Sequence, residues 1–126
     1  MPCSLPASVR HFPYAPFSQL LPRAAALVHH GGIGTLSQGF AAGIPQLVMP
    51  MSFDQPDNAA RLTRLGAGLA LSPKRFRAAN VAATLSRLLG SSDIAARCRE
   101  LAARIAQERS IDPACDMIER LGSDGE

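Results

Sequence analysis

Residues 27–35 read LVHHGGIGT, an apolar run that changes abruptly into a glycine-rich segment. The apolar run at 25–30 predicts a buried β-strand, and three glycines follow it directly. The next segment, 35–43, predicts a helix that stops at Gly43. Because glycine has no side chain, a turn of this kind lets another group approach the backbone closely.

The rest of the chain continues the alternation of strands and helices. Further strands are predicted at 9–16, 45–51 and 67–72, a helical turn at 17–23, and helices at 54–66, 77–89, 93–108 and 113–121. This order is typical of an α/β fold with a Rossmann-like parallel sheet and flanking helices. The few strands and the helical C-terminus indicate only part of such a sheet. We expect a domain at 9–121 between a loose tail, 1–8, and a polar tail, 122–126.

Composition limits the classes of function. The 126 residues carry a net charge of +3, without basic clusters that contain interleaved aromatics and without tryptophan, so we expect no nucleic-acid partner. No stretch of 18 apolar residues is present, which predicts no membrane span, and the N-terminus does not read as a signal peptide. Three scattered cysteines, without CxxC spacing, indicate a reducing compartment and therefore a cytoplasmic location.

The glycine turn has the chemistry of an anion site. In open parallel sheets, ligands bind beyond the carboxyl ends of the strands, where helix N-termini offer free N–H groups and a partial positive charge. His30 can donate a hydrogen bond there, and Thr35 can add its hydroxyl. The pattern predicts a phosphate ligand, although tight packing alone also produces glycine turns. The spacing matches neither the dinucleotide fingerprint nor the P-loop.

Other polar residues have simpler interpretations. His29 is predicted to be structural, and a zinc site from His29 and His30 is not expected because neighbours on a strand point to opposite faces. Asp54 and Gln55 follow the next strand, where together they suit the hydroxyls of a polyol. Taken alone, Asp54 is equally well explained as a helix cap, and Asn58 as a surface residue.

Residues 29–68, HHGGIGTLSQGFAAGIPQLVMPMSFDQPDNAARLTRLGAG, closely resemble the donor-binding signature of the UDP-glycosyltransferase superfamily. These are inverting, metal-independent enzymes of the two-domain GT-B fold. The similarity is to the bacterial macrolide and sterol type, and it covers only part of the C-terminal donor-binding domain. The resemblance implies no cofactor and no metal, and a UDP-sugar or dTDP-sugar as the donor substrate.

The resemblance also implies roles for individual residues. The donor diphosphate would be bound by His30, the amides of Gly32 and Gly34, and Thr35. The donor sugar would be held by Asp54 and Gln55.

For the nucleoside, the resemblance implies less. Plant members of the superfamily grip the ribose with a glutamate three residues beyond the Thr35 position. This chain has Gln38 there, which makes Gln38 a possible ribose contact. Base-binding residues are expected near 14–19.

The implied function is the donor half of a hexosyltransferase, which transfers a sugar to an acceptor hydroxyl when an acceptor domain completes it. No catalytic residue is assigned in this chain, because the resemblance places the general base in an N-terminal acceptor domain. We therefore expect the chain alone to be inactive. The alternatives are a non-catalytic nucleotide-sugar-binding module and a truncated, inert family member. A neighbouring reading frame for an acceptor domain would discriminate among them.

An incomplete sheet also predicts a partner. Its open edge, expected near 9–12, would present unpaired N–H and C=O groups. We expect this edge to pair with an acceptor-domain polypeptide or with a second copy of the chain.

Overall fold

A three-stranded parallel sheet organises residues 5–107 and 111–123, the part of the chain that the computed structural model describes. The strands are β1 (Leu27–His29), β2 (Gln46–Val48) and β3 (Gly68–Ala70). Their order is β1-β2-β3, with Leu47 of β2 opposite Val28 on one side and Leu69 on the other. The central position of β2 explains why all three of its residues are buried.

Helices connect and cover these strands. They are α1 (Phe17–Leu20), α2 (Ile33–Ala41), α3 (Gln55–Arg64), α4 (Ala78–Gly90), α5 (Ser92–Gln107) and α6 (Ile111–Ser123), with 3-10 turns at Leu21–Arg23 and Pro73–Arg75. The predicted α/β class with a parallel sheet and a helical C-terminus is confirmed. Among the described residues, no helix is long and apolar enough to cross a membrane.

The two faces of the sheet carry separate hydrophobic clusters, because neighbouring residues on β2 point to opposite sides. Val48 packs with side chains from α2, α3 and α5, among them Leu36, Leu62, Cys98 and Leu101. Leu47 packs on the other side against Leu71 and, on α4, against Leu88, Val81 and Leu85. Helices therefore cover both faces of the sheet, and the carboxyl ends of its parallel strands lie together at one edge.

The strand predicted within 9–16 is wrong. These residues form no strand in the structure, and α1 begins directly after them at Phe17. A strand needs a hydrogen-bonding neighbour, and Pro13 and Pro16 lack the N–H that a ladder requires. The open edge expected near 9–12 is instead formed by β1, whose Val28 is 43 % exposed.

Element boundaries differ by a few residues from those predicted. Helix α2 begins at Ile33 rather than at residue 35, because the low helix propensity of glycine has little effect in a first turn. Gly43 follows this helix with φ 68°, as expected of its stop. Of the predicted tails, residues 1–4 and 124–126 lie outside the described residues, and α6 extends to Ser123. The division into a domain and two tails stays a prediction.

Candidate functional site

The N-terminus of α2 presents backbone N–H groups without acceptors. Gly32 is the N-cap residue, and the first bond of the helix runs from the Leu36 N–H to the Gly32 carbonyl at 3.0 Å. The N–H groups of Ile33, Gly34 and Thr35 have no acceptor among the described residues. The first turn contains no acidic side chain, so the positive end of the helix dipole is not neutralised.

The exposed imidazole of His30 lies beside this helix end. A β-carbon added to Gly32 would be 2.6 Å from Nε2 of His30, so the ring occupies space that only glycine leaves open. The neighbouring ring of His29 stands edge-on to it, with centroids 6.3 Å apart and planes at 84°. Within the described chain, His30 has no hydrogen-bond partner, which leaves its polar edge available next to the free N–H groups.

The first turn of α2 is unobstructed at its outer side. A β-carbon added to Gly34 would meet nothing within 4 Å, so packing within the described chain does not require glycine here. Thr35 follows in the same turn and is half-buried. The four residues predicted to bind a diphosphate therefore lie around one helix end: His30, Gly32, Gly34 and Thr35.

A cavity of about 340 Å³ lies one turn further along α2. It is lined by Gln38 and by residues 14–18 of the segment before and within α1. The structure thus brings the predicted ribose residue together with the segment expected to contact a base. Tyr14, 79 % exposed, forms part of the cavity wall.

A partly buried hydrogen-bond network lies behind the glycine turn. The N–H of Gly31 donates to Nδ1 of His29 at 3.1 Å, and Nε2 of His29 lies 2.9 Å from Oε1 of Gln46. Nε2 of Gln46 then donates to the carbonyl of Leu36 at 3.2 Å. Because a backbone N–H can only donate, Nδ1 of His29 accepts and its proton lies on Nε2. The prediction that His29 is structural is confirmed.

Burial affects the ionisation of His29. Desolvation lowers its pKa below the ordinary value of 6.5, the hydrogen bond with Gln46 opposes this, and the nearby His30 lowers it further. The neutral form is therefore favoured, which agrees with an Nδ1 atom that accepts from Gly31.

Gly31 has a backbone conformation that other residues adopt at a cost. Its φ is 96°, and a β-carbon would lie 2.7 Å from Cγ1 of Val48. The same position would also be 3.5 Å from the carbonyl oxygen of Gln55, so the turn packs against both β2 and the start of α3. This glycine is required by the fold, in contrast to Gly34.

The loop after β2 carries the predicted sugar-binding pair. Oε1 of Gln55 accepts hydrogen bonds from the N–H groups of Met51 at 2.9 Å and Ser52 at 3.3 Å, which leaves its NH2 group for other partners. Asp54 is the N-cap residue of α3, as the helix-cap interpretation expects, although its side chain makes no capping bond. Phe53, beside it, has φ 57° and is 94 % exposed.

The prediction that Asn58 lies on the surface is wrong. Asn58 is 8 % exposed, and its Nδ2 donates to the carbonyl of Gly31 at 3.0 Å and to Oδ2 of Asp54 at 2.7 Å. The sequence contained the signal, since Asn58 precedes the buried Leu62 by four residues and so shares its face of α3. Asn58 links the glycine turn to the predicted sugar-binding carboxylate.

The arrangement as a whole suits an anion with an attached polar group. Free N–H groups and the His30 imidazole lie at the N-terminus of α2. The Asp54 carboxylate and the Gln55 amide lie at the start of α3. Both sets of groups lie at the carboxyl edge of the sheet. Among the described side chains, no group of three His, Cys, Asp or Glu residues is placed to hold a metal ion.

Comparison with known proteins gives the family. A family model described as "Erythromycin biosynthesis protein CIII-like, C-terminal domain" matches residues 2–121. A similar relative is the O-mycaminosyltylonolide 6-deoxyallosyltransferase of Streptomyces fradiae, which is 38 % identical over 117 residues. These residues make up 92 % of this chain and 28 % of the relative, so the chain spans less than a third of that protein's length.

Solved structures give the same result for the fold. Spinosyn forosaminyltransferase SpnP matches with a TM-score of 0.87 and 32 % identity, over 94 % of this chain and 32 % of its own. Glycosyltransferase VinC, solved in complex with dTDP, matches with a TM-score of 0.89 and 28 % identity, over 98 % of this chain and 31 % of its own. The sequence-based assignment to macrolide-type glycosyltransferases of the GT-B fold is confirmed, and the chain belongs to the erythromycin CIII-like C-terminal domain family of glycosyltransferases.

Proposed function

We propose that this chain binds the diphosphate of a UDP-sugar or dTDP-sugar at the N-terminus of α2. The observation that carries the proposal is the set of free N–H groups at Ile33, Gly34 and Thr35 beside an exposed, unpartnered His30, within the described chain. A diphosphate supplies the acceptors that these groups lack, and its charge complements the helix dipole. The dTDP complex of VinC, a structural relative, supports the same ligand class.

The rest of the donor extends in two directions from this point. Asp54 and Gln55, at the start of α3, would hold hydroxyls of the sugar. Gln38 would contact the ribose, and the cavity between Gln38 and residues 14–18 has room for the base, since about 340 Å³ lies open there. No cofactor is needed for donor binding of this kind.

In the reaction we propose, the chain is the donor half of an inverting hexosyltransferase. Negative charge develops on the leaving diphosphate as the sugar is displaced, and the α2 N–H groups with His30 would stabilise that charge. The acceptor hydroxyl and the base that deprotonates it would come from an acceptor domain. The relatives are more than three times longer than the matched region, which supports such a domain in the active assembly.

A partner strand is part of this proposal. β1 pairs with β2 on one side and forms an edge of the described sheet on the other. We propose that this edge accepts a strand from an acceptor-domain polypeptide or from a second copy of the chain. We also propose a cytoplasmic site of action, supported by Cys98 and Cys115, which are free thiols.

A nucleotide-sugar-binding module without turnover is the second candidate. It requires only the donor-binding groups at the starts of α2 and α3, which the described residues supply. Nucleotide release measured with and without an acceptor-domain polypeptide discriminates between the two candidates.

The test of donor binding is calorimetric titration with UDP, dTDP and their glucose esters. We expect His30→Ala to weaken binding about tenfold, because a hydrogen bond to a charged group is lost. His11→Ala is the matched control, since His11 is exposed on the segment before α1. Equal affinity in both variants would contradict the role of His30.

A second pair of variants tests the helix end itself. Gly34→Ala adds a methyl group where we expect the diphosphate, and Gly90→Ala adds one to α4, where nothing lies within 4 Å either. Gly34→Ala should weaken binding of UDP and dTDP, and Gly90→Ala should leave it unchanged. Unchanged affinity in Gly34→Ala would count against the proposed site.

A further inference from the structure

Asn58 occupies the junction between the two parts of the proposed donor site. Its side-chain NH2 group has two hydrogens, and both are used: one bonds the Gly31 carbonyl at 3.0 Å and the other bonds Oδ2 of Asp54 at 2.7 Å. Only 8 % of the surface of Asn58 is exposed, so this residue contacts Gly31 and Asp54 from the protein interior. The family resemblance assigned no role to this residue.

The bond to Gly31 sets the direction of another group. The Gly31 carbonyl and the Gly32 N–H belong to one peptide unit, which is planar, and in a trans peptide the two groups point in opposite directions. The described chain contains no cis peptide bond. Because Asn58 holds the oxygen on one side, the Gly32 N–H is directed to the other side. That N–H has no acceptor among the described residues.

The bond to Asp54 sets the direction of a carboxylate. The exposed loop before α3 contributes little packing around Asp54, and the side chain makes no capping bond. Asn58 holds Oδ2, which leaves Oδ1 to accept hydrogen bonds from a ligand. This bond to a charged oxygen is short, and it favours the carboxylate orientation in which Oδ2 faces Asn58.

We propose that Asn58 is a positioning residue. It aligns the Gly32 N–H, which donates a hydrogen bond to the diphosphate, with the Asp54 carboxylate, which accepts hydrogen bonds from the sugar. This inference rests on the proposed function, since it concerns the same donor site. One side chain thus sets the spacing between the phosphate-binding and sugar-binding groups. A nucleotide sugar would contact both the phosphate-binding group at Gly32 and the sugar-binding carboxylate of Asp54. A nucleoside diphosphate would contact only the phosphate-binding group.

The test compares two affinities in each variant, by calorimetry with UDP and UDP-glucose, and with dTDP and dTDP-glucose. The affinity for the nucleotide sugar divided by the affinity for the diphosphate is a ratio that measures the contribution of the sugar. Asn58→Ala should weaken binding of the diphosphates and also reduce the ratio, each by about three- to tenfold. Asp54→Ala should reduce the ratio alone. The double variant should match Asp54→Ala in the ratio and Asn58→Ala in diphosphate affinity, because Asn58 acts on the sugar through Asp54.

Thr63→Ala is the control on the same helix, since Thr63 bonds the Ala59 carbonyl away from the site, and it should change neither quantity. Asn58→Ser keeps a small donor and provides a second variant if Asn58→Ala does not fold, as judged by circular dichroism. Loss of the fold in both would make Asn58 purely structural and overturn the inference.

The outcomes separate the two proposals. A wild-type chain that binds none of the four ligands overturns the proposed function and this inference with it. Wild-type binding together with unchanged affinities in Asn58→Ala overturns the inference alone. A double variant whose ratio falls below that of Asp54→Ala also overturns it, because Asn58 would then act independently of Asp54.

Discussion

The backbone N–H of Gly31 donates a hydrogen bond to Nδ1 of His29 at 3.1 Å, two residues earlier in the chain. This bond requires an unprotonated Nδ1, so it exists only while His29 is neutral. The ionisation of one half-buried imidazole is therefore coupled to the conformation of the turn that begins the proposed site.

We predict that acid destabilises the protein through His29. Its pKa is lowered in the folded state, mainly by burial, so the unfolded chain binds the proton more readily. The stabilisation is complete above the unfolded value of 6.5 and is lost progressively as the pH falls below it toward the folded pKa. Urea unfolding at a series of pH values measures this. His29→Gln should flatten the profile near that pH, and the exposed His11→Gln should not.

The bond between His29 and Gln46 should appear in a double-mutant cycle. Gln46 is fully buried, and Gln46→Leu leaves the His29 Nε2–H without its acceptor, which should cost about 1–3 kcal/mol, whereas the Leu36 carbonyl keeps its bond within α2. Replacing His29 with Leu in addition removes the unpaired group. The double variant should therefore lose less stability than the two single variants added together. Strict additivity in denaturant unfolding would contradict the network.

Gly31 and Gly34 should respond in opposite ways to alanine. Gly31→Ala introduces strain at φ 96° and a contact with Val48, which together should cost about 2–5 kcal/mol. Gly34→Ala should leave the fold unchanged or stabilise it by up to about 1 kcal/mol, since its new methyl group meets nothing. Thermal unfolding checks both. A destabilised Gly34→Ala would mean that packing, not ligand access, explains that glycine.

The edge at β1 should mediate association. The groups of Leu27 and His29 bond to the β2 side, so by alternation those of Val28 face outward. We expect the chain to sediment as a dimer or with its acceptor polypeptide, and Val28→Lys to weaken this association. Val9→Lys, on the segment without a strand, is the control. A monomer under all conditions, with no effect of Val28→Lys, would contradict the prediction.

The local pattern was sufficient to predict most of the fold. The apolar runs around Val28, Leu47 and Leu69 became parallel strands, and the helical periodicity of Val81, Leu85 and Leu88 became the buried face of α4. Both patterns are formed by residues close together in sequence, so one amino-acid sequence is enough to recognise them. The strand expected at 9–16 failed because a strand depends on a distant partner, and Pro16 removes a donor.

The grouping of the candidate site residues was predictable, but the hydrogen-bond network behind them was not. His30, Gly32 and Thr35 stand in one short stretch, so their grouping at a helix end follows from the sequence. The buried role of Asn58, which contacts Gly31 across 27 positions, depends on how α3 packs beneath the turn. The bond between Gln46 and His29 likewise joins β2 to β1, and its register appears only in the folded sheet.

The proposed diphosphate site is tested by a titration of the ¹⁵N-labelled chain with UDP and with dTDP, observed by NMR. We expect the largest shifts at the backbone amides of Gly32, Ile33, Gly34 and Thr35, since these N–H groups gain acceptors when a diphosphate binds. Saturating binding with no shift at these four amides, or no binding of either nucleotide, would contradict the claim that the N-terminus of α2 is a diphosphate site.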